Sequence, residues 1–148
     1  MSGEWSAYLR GMIAVGDILL IDDEASVRKL LSIVLKSAGH QVAEASSGKE
    51  GVRRLREHPF ELVITDILMP DMDGLEITRA IHQDFPQVKI VVVSGGRQDM
   101  GFCNAARYLG AHATLAKPVP LELLLETVSR QLDRPDEAPP SRSMSSSH

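Results

Sequence analysis

Four ionisable residues stand at the ends of three short apolar runs. They are Asp22, Asp23, Asp66 and Lys117, and the runs are segments 18–21, 62–65 and 113–116. Apolar runs of this length predict buried strands, and open α/β sheets bind their ligands at the carboxyl ends of the strands. Pro70 and Gly74 turn the chain shortly after Asp66. We therefore predict that three carboxylates and one ammonium group share a single site.

The rest of the chain must supply the sheet that brings these residues together. Five predicted strands span residues 17–21, 41–45, 61–66, 88–93 and 111–116. Five predicted helices span residues 25–38, 47–58, 75–84, 100–109 and 121–132. Regular alternation of strands and helices predicts an α/β fold with a parallel sheet, right-handed crossovers and helices on both faces.

The length fits one domain with short tails. We place this domain at residues 16–133 of the 148, between a loose leader at 1–15 and a disordered, Pro- and Ser-rich tail at 134–148. The formal net charge of −4 argues against nucleic-acid binding. No apolar run is long enough to predict a membrane span. The single cysteine, Cys103, fits a reducing, cytoplasmic setting.

Each chemical feature also has a simpler structural interpretation when it is taken alone. The acid pair at 22–23 could cap the helix that follows it, and the segment 70–74 could be an ordinary turn. The Lys-Pro step at 117–118 could mark the start of a helix. The Ser-Gly pair at 94–95 could belong to a plain loop. These interpretations stay open singly, but the ordered placement of all four features at predicted strand ends favours a functional site.

In this order the motifs resemble the receiver domain of two-component response regulators, over residues 16–133. The matching residues are Asp22-Asp23 after the first strand, Asp66 after the third, Met69-Pro70 and Asp73-Gly74 in the next loop, Ser94-Gly95 after the fourth and Lys117-Pro118 after the fifth. The resemblance implies a doubly wound, flavodoxin-like sheet of five parallel strands in the order 2-1-3-4-5, with helices on both faces.

The resemblance also implies a role for each residue of the site. Asp66 would accept a phosphoryl group from a kinase histidine, while Lys117 and Ser94 would contact the phosphoryl oxygens. The implied metal ligands are Asp22 through water and, directly, Asp23, Asp66 and the backbone carbonyl of Leu68. Oxygen ligands favour Mg²⁺, with Mn²⁺ as an alternative. Two carboxylates about 4 Å apart repel by on the order of 4 kcal/mol at an effective dielectric of about 20, and a divalent cation offsets that repulsion.

The implied function is a cytoplasmic signalling switch, not an enzyme with a separate substrate, because it would catalyse only its own phosphorylation and dephosphorylation. A sensor histidine kinase or phosphotransfer protein would supply the phosphoryl group. Signalling would proceed by protein–protein contact or by phosphorelay, across the fourth helix, fifth strand and fifth helix, where Leu123 is expected to be exposed. A stand-alone receiver is the first interpretation. A receiver cut from a longer regulator, or an aspartate-using phosphohydrolase, is the alternative.

One position departs from the family pattern. Many receivers carry Tyr or Phe in the fifth strand, where this chain has Thr114. The small side chain of Thr114 cannot fill the space into which such a ring moves. We therefore expect the conformational change to run through the loop after Val93 and the helix that contains Phe102 and Tyr108. The four histidines outside the tail are expected at the surface; they are His40, His58, His82 and His112.

Overall fold

A parallel sheet forms the centre of the molecule. The computed structural model describes residues 14–67, 69, 72, 74–95 and 100–133. Its strands are β1 (Asp17–Ile21), β2 (Gln41–Ala45), β3 (Leu62–Asp66), β4 (Lys89–Ser94) and β5 (Ala113–Ala116). They pair in parallel in the order β2-β1-β3-β4-β5. The predicted fold class and strand order are therefore confirmed.

Helices connect successive strands. They are α1 (Ala25–Ser37), α2 (Gly48–Glu57), α3 (Gly74–Asp84), α4 (Met100–Leu109) and α5 (Leu121–Leu132). Every predicted boundary lies within two residues of the observed one. These boundaries could be predicted because the spacing of apolar residues changes where a strand ends and a helix begins.

Two apolar cores lie on opposite faces of the sheet, because successive side chains of a strand point to opposite sides. On β1, Leu19 and Ile21 face the core that α2, α3 and α4 cover. Ile18 and Leu20 face the core that α1 and α5 cover. The central strand β3 is buried along its whole length. This burial holds the carboxyl edge of the sheet, with its polar residues, in a fixed position.

His40 corrects one prediction, because it is buried (5% exposed) rather than at the surface. Helix α1 ends at Ser37, and Gly39, two residues later, has a φ of 102° in the left-handed region that favours glycine. The chain then turns inward, and His40 Nδ1 accepts a hydrogen bond from the Gly16 N–H at 3.2 Å. Burial lowers the pKa of His40, against the opposing effect of the Glu61 carboxylate.

The ends of the chain contribute little to this description. Residues 1–13 and 134–148, which hold most of the predicted leader and all of the predicted tail, lie outside the described residues. Those two predictions therefore stay predictions. None of the helices in the described part of the chain is both long and apolar enough to cross a bilayer.

Candidate functional site

The acidic residues meet where the strand order reverses, between β1 and β3. Asp22 and Asp23 directly follow β1, and Asp66 is the last residue of β3. One carboxylate oxygen from each of the three lies within 4.8 Å of the others, which is close enough to share a metal ion. Asp22 and Asp66 are buried, while Asp23 is exposed. The site therefore opens to solvent on the Asp23 side.

Lys117 reaches this cluster from the end of β5, across the end of β4. Its Nζ lies 3.0 Å from Asp66 Oδ2 and 3.5 Å from Asp22 Oδ2. A third carboxylate, that of Glu24, lies 3.5 Å from the same nitrogen. The Lys117 backbone N–H donates to the Ser94 carbonyl at 2.8 Å, which fixes the lysine against β4. The structure thus brings the four predicted ionisable residues together.

The charges of the site do not balance. Burial by itself would lower the pKa of Lys117, but the hydrogen bond and charge of Asp66, with Asp22 and Glu24, outweigh it and raise this pKa. Burial raises the pKa of Asp22, and the Asp66 charge adds to that effect. The Glu24 N–H and Lys117 oppose it. One ammonium group facing several carboxylates leaves a negatively charged, oxygen-lined pocket, which fits a hard divalent cation.

Ser94 and Gly74 shape the walls of the site. Ser94 ends β4 and is buried, and its hydroxyl donates to the Leu115 carbonyl at 3.5 Å. Gly74 packs so tightly that an added Cβ would lie 2.5 Å from Ile67 Cα and 2.7 Å from the Asp66 carbonyl oxygen. Only glycine therefore lets the loop after β3 return against the end of that strand. Leu68, the predicted carbonyl ligand, lies outside the described residues, as does Asp73.

The helix-cap interpretation of the acid pair holds in part. The N-cap residue of α1 is Glu24, whose side chain makes no capping bond. Asp22 Oδ1 instead accepts the Glu24 N–H at 2.9 Å, while its other oxygen faces Lys117. Asp22 therefore orders the start of α1 and also faces the site.

Two residues near the site were missed by the sequence interpretation. Glu24 contacts Lys117, and Arg28 Nη1 donates to the Asp22 carbonyl at 2.8 Å. Arg28 Nε also pairs with Glu44 on β2 at 2.9 Å. The only sequence signal was a third acid next to the pair, followed four residues later by an arginine, which is one helical turn.

Thr114 is tied to the preceding helix. Arg107 Nη2, on α4, donates to Thr114 Oγ1 at 3.3 Å. Nearby, α4 exposes Phe102 and Tyr108, and α5 exposes Leu123 as predicted. Thus the strand position that differs from the family pattern carries a polar link to α4.

The comparisons with known proteins agree with this geometry. The family model of the response regulator receiver domain matches residues 18–129. A crystal structure of a response regulator receiver domain protein from Clostridium thermocellum superposes with a TM-score of 0.76 at 32% identity. That match covers 80% of this chain and 94% of the other.

Curated relatives include both short and long proteins. The chain is 33% identical over 117 residues to chemotaxis protein CheY of Bacillus subtilis, covering 78% of this chain and 97% of CheY. It is 40% identical over 78 residues to the receiver protein CpdR of Brucella abortus, covering 53% of this chain and 65% of CpdR. It spans only 26% of the transcriptional regulatory protein GlrR of Escherichia coli, at 32% identity. The chain belongs to the response regulator receiver domains of two-component signalling.

Proposed function

We propose that this chain is a phosphorylation-controlled switch in which Asp66 accepts a phosphoryl group from a phosphohistidine. The donor is a sensor histidine kinase or a phosphotransfer protein. One observation carries the proposal: Asp66 Oδ2 lies 3.0 Å from Lys117 Nζ, and the Asp66 carboxylate shares the 4.8 Å cluster with Asp22 and Asp23. The Asp66 carboxylate as nucleophile, the Lys117 ammonium group and two acids proposed to bind a metal therefore face one partly open space.

The transfer requires positioning and charge stabilisation more than covalent help. An Asp66 carboxylate oxygen attacks phosphorus, the new O–P bond forms, and the P–N bond breaks with its electron pair left on the imidazole nitrogen. Asp66 loses its negative charge in this step. Lys117 then pairs with the phosphoryl oxygens instead of the Asp66 carboxylate. The Ser94 hydroxyl donates to one of these oxygens. The pairing present before transfer is thus replaced, not lost.

The residues of the pocket also suit a metal ion. Asp23 and Asp66 are the proposed direct ligands, Asp22 binds through water, and the Leu68 carbonyl completes the protein's contribution. When bound, Mg²⁺, or Mn²⁺ in its place, supplies positive charge that offsets the repulsion between the acids and stabilises the transferring phosphoryl group. The raised pKa of Asp22 supports this assignment, because it reflects a buried carboxylate with insufficient positive charge beside it.

We place the output surface on α4, β5 and α5. Phe102, Tyr108 and Leu123 are exposed there and offer apolar contacts to a downstream protein. The Arg107 hydrogen bond to Thr114 links α4 to β5 in the unphosphorylated chain. Movement of Ser94 toward the phosphoryl group would shift the end of β4 and the start of α4, so α4 is the proposed moving element.

Incubation with acetyl phosphate and Mg²⁺ tests the acceptor residue. We expect one added phosphoryl group by intact mass spectrometry, and its complete loss in Asp66→Asn, because the amide is not a nucleophile of comparable strength. The matched control is Asp84→Asn, which removes an exposed carboxylate at the end of α3. Full labelling of Asp66→Asn, or steady turnover of a small phosphate ester, would contradict the proposal. The second result would favour a phosphohydrolase.

A further inference from the structure

Arg28 connects three parts of the molecule beside the acid cluster. It is the fourth residue of α1, and helical side chains lean toward the amino end of their helix. The guanidinium group therefore reaches back to the loop that follows β1. There Nη1 donates to the Asp22 carbonyl at 2.8 Å, while Nε pairs with Glu44 Oε1 at 2.9 Å. Arg28 thus links α1 to the loop after β1 and to β2.

The two contacts of Arg28 support each other. A guanidinium group is planar and carries its donors in a rigid fork, so the pairing of Nε with Glu44 sets the direction of Nη1. The Arg28 and Glu44 side chains are only 14% and 26% exposed, so salt screens this pair less than a surface pair. Glu44 also offsets the Arg28 charge, which alone would repel a cation in the nearby pocket. Arg28 can therefore hold a backbone group while adding little net charge.

The Asp22 carbonyl belongs to the peptide that connects the two acids after β1. A peptide unit is planar, so the direction of this carbonyl also sets where the backbone of Asp23 begins. Strand β1 pairs with its neighbours as far as Ile21, and the Asp22 N–H still donates to the Ala45 carbonyl at 3.1 Å. The carbonyl side of Asp22 is held by Arg28. The position of Asp23, which is exposed, therefore depends on this contact.

We propose that Arg28 is a positioning residue for the metal site and acts by holding the peptide between Asp22 and Asp23. The inference rests on the metal site proposed above. The contact keeps the Asp23 carboxylate beside that of Asp66, so that the ion binds without first ordering the loop. Glu44 acts through Arg28, by orienting its guanidinium group.

Isothermal titration calorimetry with Mg²⁺ tests this role. Arg28→Ala should weaken Mg²⁺ binding by about tenfold, which is typical of residues that orient metal ligands. A role through charge alone predicts the opposite sign, because removing a positive charge near the pocket would strengthen cation binding. Arg130→Ala is the matched control, since it removes another arginine paired with a glutamate, in the last turn of α5. It should leave the Mg²⁺ affinity unchanged.

Glu44→Ala tests whether Glu44 acts through Arg28. Alone it should weaken Mg²⁺ binding by a few-fold, because the guanidinium group loses one of its two anchors. Added to Arg28→Ala it should have little further effect, because the effects of residues that act through one contact do not add. Equal weakening in both backgrounds would show that Glu44 acts by its own charge, which contradicts the proposed link.

Circular dichroism verifies that each variant is folded, and Arg28→Lys replaces Arg28→Ala if that variant does not fold. Arg28→Lys keeps the charge but lacks the planar fork, so it should also weaken Mg²⁺ binding. Wild-type affinity in the folded Arg28 variant would overturn the inference and leave the proposed metal site intact. Absence of Mg²⁺ binding by the wild type, or equal binding by Asp23→Ala, would contradict the metal site itself and the inference with it.

Discussion

Polar side chains have different partners at the two edges of the sheet. At the amino edge several of them accept a backbone N–H: Glu61 Oε1 accepts the Asp17 N–H at 2.8 Å, and His112 Nδ1 accepts the Ile90 N–H at 3.1 Å. His40 does the same for Gly16. At the carboxyl edge three carboxylates crowd together around one lysine.

This difference separates polar groups that maintain the fold from those that we propose bind a metal ion and a phosphoryl group. Side chains at the amino edge satisfy strand N–H groups that would otherwise be unpaired, so their removal should cost stability. Carboxylates at the carboxyl edge repel one another, so their removal should cost function and can even stabilise the protein. Substitutions at each edge can sharpen or break this contrast.

Lys117→Ala should have the largest effect. Without the ammonium group, the phosphoryl oxygens lose a charged contact, and labelling by acetyl phosphate should slow by about 100-fold or more. Mg²⁺ binding, measured by isothermal titration calorimetry, should persist because Lys117 is not a metal ligand. Lys29→Ala, at an exposed position of α1, is the control. Labelling at the wild-type rate would show that Lys117 serves the fold alone.

At the amino edge, His40→Ala should lower the free energy of unfolding by about 1–3 kcal/mol. The substitution removes a buried ring and leaves the Gly16 N–H without its acceptor. Labelling of the folded variant by acetyl phosphate should stay at the wild-type rate. Urea denaturation measures the free energy of unfolding, with Gln83→Ala, at an exposed position of α3, as control. If His40→Ala lost labelling without losing stability, the amino edge would serve function instead of the fold, which contradicts the contrast between the two edges.

The elements of this fold were predictable from the sequence because strand burial and helix amphipathicity leave periodic patterns. The parallel topology then dictates that Asp22, Asp66 and Lys117 meet, since all follow strands at the same edge. The contact of Glu24 with Lys117 was not predictable, because it depends on distances between side chains far apart in the chain. The burial of His40 depends on the direction the chain takes after Gly39, and spacing along the sequence does not carry that direction.

Asp22→Asn should have a smaller effect, of opposite sign on stability. Removing one buried negative charge should raise the free energy of unfolding in EDTA by on the order of 1 kcal/mol. The wild type should melt at higher temperature in Mg²⁺, because a ligand that binds only the folded state stabilises it. This shift should shrink in Asp22→Asn. Asp84→Asn should change the melting temperature neither in EDTA nor in Mg²⁺. A destabilised Asp22→Asn would mean that its bond to the Glu24 N–H outweighs the repulsion.

Acidification should produce the smallest effect, with opposite signs at the two edges. Burial lowers the pKa of His40 below its usual 6.5, so below pH 6.5 the unfolded chain binds more protons and stability falls as pH falls. Burial raises the pKa of Asp22 above 3.8, so there the folded state binds more protons and acidification stabilises it. Urea denaturation in EDTA between about pH 7 and 5 measures the His40 effect apart from the Asp22 effect, because histidine titrates in this range. His40→Gln should flatten the loss of stability, and Gln83→Ala, at an exposed position of α3, should not. Equal slopes in the wild type and both variants would show that burial of His40 carries no pH dependence.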